Sequence, residues 1–235
     1  MTTVASAVGA ALARSGVRTV FGLVGSGNFH LTNALTAGGA RFVAARHEGG
    51  AAVMADAYAR VSGELGVLSV HQGPGLTNAL TGVAEAAKSR TPLLVLAPTA
   101  TSRRSNFYLD HAALAAAAGA TLVRVGSAST AAADLARAFR TAVGERRTVI
   151  LSLPLEVQAE PATPFTLGHA PSPRPSRSRR WPTPCWRLAR PSSSRAVEPG
   201  ARKPSSSSWP NGLGRCWPPP PSRGGCFGIW PSIST

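Results

Sequence analysis

Short apolar runs alternate with helical segments along most of this chain, and that alternation constrains its fold more than any other feature. The runs at 19–24, 41–45, 66–70, 92–96, 121–125 and 148–153 are apolar without the in–out pattern of a strand that has one wet face. Each needs cover on both sides, as in a parallel sheet. Segments with helical spacing lie between them at 30–37, 48–61, 76–88, 112–118 and 131–143. An opening helix at 4–12 places Val4, Val8 and Leu12 on one side, with Gly16 as its stop. Joining parallel strands through helices requires right-handed crossovers. The sequence therefore predicts an α/β fold, an open doubly wound parallel sheet of about six strands with helices on both faces.

Such a sheet binds ligands beyond the carboxyl ends of its strands, so the loops that follow strands carry the functional signal. Gly22, Gly25 and Gly27 follow the first run, with Asn28 expected as a helix cap. Arg46-His-Glu-Gly-Gly-Ala-Ala52 follows the second, and Gly73-Pro-Gly75 with Thr77 and Asn78 follows the third. Glycines there allow a backbone to approach a ring or phosphate closely, and helix N-termini offer free N–H groups. Glu48 is the sharpest candidate, a carboxylate where an apolar run meets a helix of small residues. The plain alternative is that an acid in a first helical turn only complements the helix dipole. Gly25, Pro74 and Asn78 likewise serve as ordinary turn and cap residues on that alternative. His47 and His71 end strands at the same edge; a hydrogen-bonded structural role is the better reading for His47, and His71 is left open. Arg103 and Arg104 read as a solvated loop.

Composition matters because it divides the chain. The formal charge of +15 over 235 residues would by itself suggest nucleic acid or an anionic membrane. Residues 1–160, however, hold 14 Lys/Arg against 9 Asp/Glu, while residues 161–235 hold 11 against 1. The same tail holds all five Trp, all three Cys (Cys185, Cys216, Cys226) and 16 of the 20 Pro. We therefore expect one folded domain at 1–160 and a basic Pro/Ser/Arg-rich tail at 161–235. With no periodic apolar segment, the tail cannot bury enough surface to offset its ordering entropy, and it is expected to be disordered. Its cysteines are odd in number and lack ligand spacing or histidine partners, which argues against a zinc site or a disulfide framework. No apolar run approaches the ~18 residues of a membrane span, and no basic n-region opens the chain, so a cytoplasmic location without a membrane partner is expected.

The motifs Val20-Phe-Gly, Arg46-His-Glu-Gly-Gly-Ala-Ala52, Asp56-Ala-Tyr58-Ala-Arg60, Gly73-Pro-Gly75 with Thr77 and Asn78, Glu85-Ala86, Thr91-Pro-Leu-Leu94 and Leu151-Ser-Leu-Pro154 stand in the order and spacing of one family. The stretch 1–160 resembles the N-terminal, pyrimidine-binding domain of thiamine diphosphate-dependent enzymes of the acetolactate synthase type. The resemblance implies that Glu48 hydrogen-bonds the cofactor's aminopyrimidine. In the family that contact favours the imino tautomer, whose nitrogen removes the C2 proton of the thiazolium. It also implies cofactor-binding positions at Gly25, Pro74 and Asn78. Three departures concern the substrate more than the cofactor: Val24 stands where a proline usually precedes the turn glycine, His71 and Gln72 where hydroxyl residues are usual, and Asn106-Phe-Tyr-Leu-Asp110 where the family's loop carries a glutamine.

No metal site is expected on this chain. The family holds Mg²⁺ and the diphosphate on a further domain through a Gly-Asp-Gly motif, which occurs nowhere here. The resemblance thus implies only the pyrimidine half of a site, inactive alone and completed by a homo-oligomer or a full-length homologue. A small 2-oxo acid is the implied substrate; a flavin (FAD) occurs in some of the family but is not supported here. Arg, Pro, Ser, Trp, Cys and Gly are also what GC-rich codons yield out of frame. One permitted set of codons for Trp181-Pro-Thr-Pro-Cys-Trp-Arg-Leu gives Val-Ala-Asp-Ala-Leu-Leu-Ala when shifted by a base, so a frameshift near residues 167–180 and a truncated product are expected. Two rivals stay open. One is an NAD(P)-binding Rossmann domain, weakened because the third glycine of its fingerprint falls at His30. The other is a nucleic-acid-binding protein acting through the tail, against which the localised charge argues.

Overall fold

The structure is a computed structural model that describes residues 2–167. Thr3 caps the first helix, α1 (Val4–Arg14), by accepting the Ser6 N–H. There follow β1 (Thr19–Gly22), α2 (Phe29–Ala37), β2 (Arg41–Ala44), α3 (Glu48–Ser62), β3 (Gly66–Ser69), α4 (Pro74–Lys88) and β4 (Leu93–Thr99). The chain continues through α5 (His111–Ala118), β5 (Thr121–Arg124), α6 (Ala131–Gly144), β6 (Thr148–Pro154) and α7 (Leu155–Ala159). Six strands form one sheet in the order β2-β1-β3-β4-β6-β5, every pair parallel.

The apolar runs lack in–out alternation because both faces are covered. Val20, Val67, Leu94, Leu96, Val149 and Leu151 join one core layer with α1, α2 and α6, while Phe21, Leu68, Leu93, Val95 and Ile150 join another with α3, α4 and α5. Fully burying such a side chain contributes about 1.5–3 kcal/mol against the chain entropy. The predicted fold class is the one observed, with element bounds displaced by a few residues. β4 runs to Thr99 although a proline lacks the ladder's donor: its pairing with β6 continues through Pro98↔Leu153 and Thr99↔Pro154. The short α7 carries no periodic signal and was not expected.

β1 is the point from which the winding reverses. The chain passes from β1 to β2 in one direction, and β3 pairs on the other side of β1. α2 then packs in one layer and α4 in the other, so the loops after β1 and β3 part and leave a crevice. α3 and α4 meet closely beside it. A Cβ on Gly82 would lie 2.6 Å from Ala52 Cβ, so only glycine permits this approach. Farther along, Arg60 joins the pair by binding Asp56 on α3 at 2.8 Å and Glu85 on α4 at 3.1 Å.

Residues beyond Glu160 return over α1. Val4 N–H donates to Glu160 O at 3.0 Å and Ala162 N–H to Thr2 O at 3.0 Å, while Ala162, Phe165 and Leu167 pack on the α1 layer. The tail from Gly168 onward, with every Cys and Trp and the suspected frameshift beyond Leu167, lies outside the described residues. Overpacking the α3–α4 crossing should be costly: Gly82→Val should lower unfolding free energy in urea by about 1–3 kcal/mol.

Candidate functional site

His47 is the N-cap of α3, and its Nδ1 accepts the Gly49 N–H at 3.0 Å. That bond fits the structural role expected for His47 and sets Glu48 as the first residue of the helix, turned inward. Glu48 is only 8% exposed. Its Oε2 accepts from Asn78 Nδ2 at 3.0 Å, across the α3–α4 contact, and no other described residue bonds the carboxylate. Oε1 borders the place where Gly75 lacks a side chain: a Cβ there would lie 3.4 Å from Oε1 and 3.2 Å from His71 Cβ. A buried carboxylate with one oxygen satisfied and one facing an opening can take a hydrogen bond from a ring N–H of a ligand.

The four residues singled out from the sequence therefore lie around one crevice, at different depths. Pro74 is at the start of α4, where its missing N–H costs nothing, and is exposed beside exposed Asn78. Gly25 belongs to the turn after β1 and faces His71, whose ring carbon Cγ would be 2.6 Å from a Cβ at Gly25. His71 accepts the Gly27 N–H on Nδ1 at 3.3 Å and meets Phe107 edge-on at 5.5 Å. It is thus held between the loops after β1, β3 and β4. Arg103 reaches over the Tyr108 ring at 5.9 Å in an exposed loop, as expected.

Asn28 differs from its expected role. It occupies the cap position of α2 but makes no capping bond. Its Oδ1 instead accepts the Gly25 N–H at 2.7 Å, and its Nδ2 donates to Leu23 O and Ser69 Oγ, both at 2.9 Å. Fully buried, it ties the first turn to β3. An Asn after a glycine turn carries no sequence signal that separates these uses. The glycines of that turn press on His71 and Gln72, with Gln72 Oε1 at 2.2 Å from a Cβ position on Gly27. This packing leaves the first turn unlike an open pyrophosphate cradle.

Sequence reasoning also missed His111, the first residue of α5, because a lone histidine ahead of an alanine run has no pattern around it. It is 5% exposed, and neither ring nitrogen has a partner among the described residues. Burial first and the Arg124 charge second, opposed by Asp110, lower its pKa from 6.5 to about 4. An unfolded histidine titrates near its ordinary 6.5, so the unfolded chain takes up this proton first on acidification. His111 should thus remove stability as pH falls from 6.5 towards 4, and no more below that. Urea midpoints across this range should fall less for His111→Leu than for the wild type.

Among the described residues no group of three or more His, Cys, Asp or Glu is placed to hold a metal ion, and no helix is long and apolar enough to cross a membrane. Residues 2–117 match the family described as thiamine pyrophosphate enzyme, N-terminal TPP binding domain. A probable 2-ketoarginine decarboxylase of Pseudomonas aeruginosa is 39% identical over 158 residues, 64% of this chain and 28% of that protein. The acetolactate synthase isozyme 3 large subunit of Escherichia coli is 49% identical over 82 residues, 34% of this chain and 14% of its own length. Human 2-hydroxyacyl-CoA lyase 2 is 43% identical over 99 residues, 42% of this chain and 16% of that protein. The chain thus spans well under a third of each of these relatives. The segment 2–117 belongs to the N-terminal TPP-binding domain family of thiamine pyrophosphate enzymes.

Proposed function

We propose that Glu48 is the proton-handling residue of a thiamine diphosphate site and that this chain supplies the pyrimidine half of it. The observation that carries the reading is the buried Glu48 carboxylate, fixed through Oε2 by Asn78 and open through Oε1 beside Gly75. When bound, the cofactor supplies a carbon acid that, once deprotonated, adds to the carbonyl of a 2-oxo acid. Glu48 would hold the cofactor's pyrimidine through Oε1 and could give or take a proton there. Burial serves this task by keeping bulk water away from the carboxyl group. Asn78 restrains the carboxyl rotation, Pro74 borders the opening, and Gly25 sets the opposite wall through His71.

The Mg²⁺ and diphosphate side falls to residues that this sequence does not contain, since Gly-Asp-Gly is absent from it. A second subunit or a longer homologue would complete the site. The outer side of α3, where Val53, Met54 and Val61 are 56%, 36% and 88% exposed, leaves an apolar face that such a partner could cover. On this reading the chain is a relative of acetolactate synthase that supplies one half of the site. Its substrate class would be a small 2-oxo acid, as the names of the decarboxylase and synthase relatives suggest.

Binding of thiamine diphosphate with Mg²⁺, followed by near-ultraviolet circular dichroism, should weaken by about tenfold or more in Glu48→Gln, because the replacement loses a charge-assisted hydrogen bond. Equal affinity of the two proteins would remove Glu48 from the pyrimidine.

A further inference from the structure

At the edge of the sheet opposite the crevice, β4 and β6 begin side by side in the register Leu93↔Thr148. The carboxyl ends of α4, α5 and α6 border a cleft there, with a volume of about 210 Å³. Arg90 stands after α4, Gly119 after α5, and Glu145, Arg146 and Arg147 after α6. Arg90 and Arg146 each have φ of +52°, in the left-handed region where a side chain crowds the backbone. Elsewhere the chain gives that place to glycine: Gly16, Gly39, Gly63 and Gly119 stand just past the ends of α1, α2, α3 and α5, with φ from +72° to +98°. The two helices that stop on a left-handed arginine instead both do so at this cleft.

The plain account of such arginines is that a cation complements the carboxyl end of a helix dipole. α4 already carries Lys88 in its last turn, so that account leaves Arg90 unneeded. Ion pairing does not explain them either. Among the described residues neither Arg90 nor Arg146 forms an ion pair, and Arg147 forms a loose one with Glu145 at 3.6 Å. All three arginines are exposed, so their N–H groups are open to a ligand from solvent. The Thr148 hydroxyl donates to Thr91 O at 3.2 Å, which leaves recognition to the guanidinium groups. Three of these stand against one carboxylate around the cleft. A guanidinium presents paired N–H donors in a plane, matching two oxygens of a phosphate at once, and a phosphoryl dianion answers two such forks where a single carboxylate answers one.

We propose that this cleft binds the phosphoryl dianion of a small molecule, held by Arg90 and Arg146 with Arg147 beside them. It lies at the far end of the strands from Glu48, and the proposal does not depend on what Glu48 binds. Arg146 and Arg147 also lie beyond the family match at residues 2–117.

The left-handed backbone supplies the test, because glycine suits it and removes the guanidinium. Backbone amide resonances of residues 90, 119 and 146 in the full chain are followed at pH 7.5 while inorganic phosphate is titrated at constant ionic strength, with methyl phosphate and acetate as separate probes. Phosphate should give saturable shifts with Kd on the order of 1 mM. Acetate, with one charge and one pair of oxygens, should bind about tenfold more weakly. Methyl phosphate binding as tightly as phosphate would support the phosphoryl group of an ester as the natural ligand, and a preference of about tenfold for phosphate would support the free ion. A double variant carrying Arg90→Gly and Arg146→Gly should lose about tenfold or more in phosphate affinity, while its urea midpoint stays level or rises. Shifts that grow linearly without saturating, that acetate reproduces, or that persist in the double variant would overturn the proposal. A lower urea midpoint with unchanged phosphate affinity would assign the arginines to the helix ends alone, with the same consequence.

Discussion

The hydrogen bond from Asn78 to Glu48 exists only because α3 and α4 cross at the distance of two small residues. Gly82 lies against Ala52, and with a side chain at Gly82 or a larger one at Ala52 the helices would stand apart. Both helices belong to the same layer over a parallel sheet, so their spacing is fixed again by Phe21, Leu68 and Val95 beneath them. The carboxylate is thereby buried but not sealed. Its position follows from packing, and its freedom at Oε1 follows from the missing side chain of Gly75.

Parallel winding determines what meets Glu48. Because the chain leaves β1 towards β2 while β3 pairs on the other side of β1, the loops after β1 and β3 flank one opening and carry Gly25, His71 and Pro74 to it. Asn28 holds the first loop by three bonds of 2.7 to 2.9 Å, each buried or partly so, where breaking one leaves a polar group unmatched. The crevice is therefore built from rigid parts, as sites that place a proton must be.

Much of this was legible in the residues. Continuous apolar runs specified two-sided cover, and the glycine-rich turns specified which edge to examine; there Glu48 bonds Asn78, and His71 lies against both Gly25 and Gly75. What escaped notice depends on partners distant in sequence. The bonds of Asn28 involve Ser69, forty-one residues away. The unmatched state of His111 depends on β4, β5 and β6 closing around it. The apolar run at 92–96 also understates β4, because its ladder with β6 continues through Pro98 to Thr99.

The central claim is that this chain contributes the glutamate side of a thiamine diphosphate site whose remainder lies elsewhere. The most direct measurement mixes the chain with a full-length acetolactate synthase relative whose own matching glutamate has been replaced by glutamine, confirms co-assembly by sedimentation, and follows pyruvate consumption. Restoration of activity by the wild-type chain and not by its Glu48→Gln form is the predicted result. Equal restoration by both forms, or none from a chain that has joined the oligomer, would contradict the account.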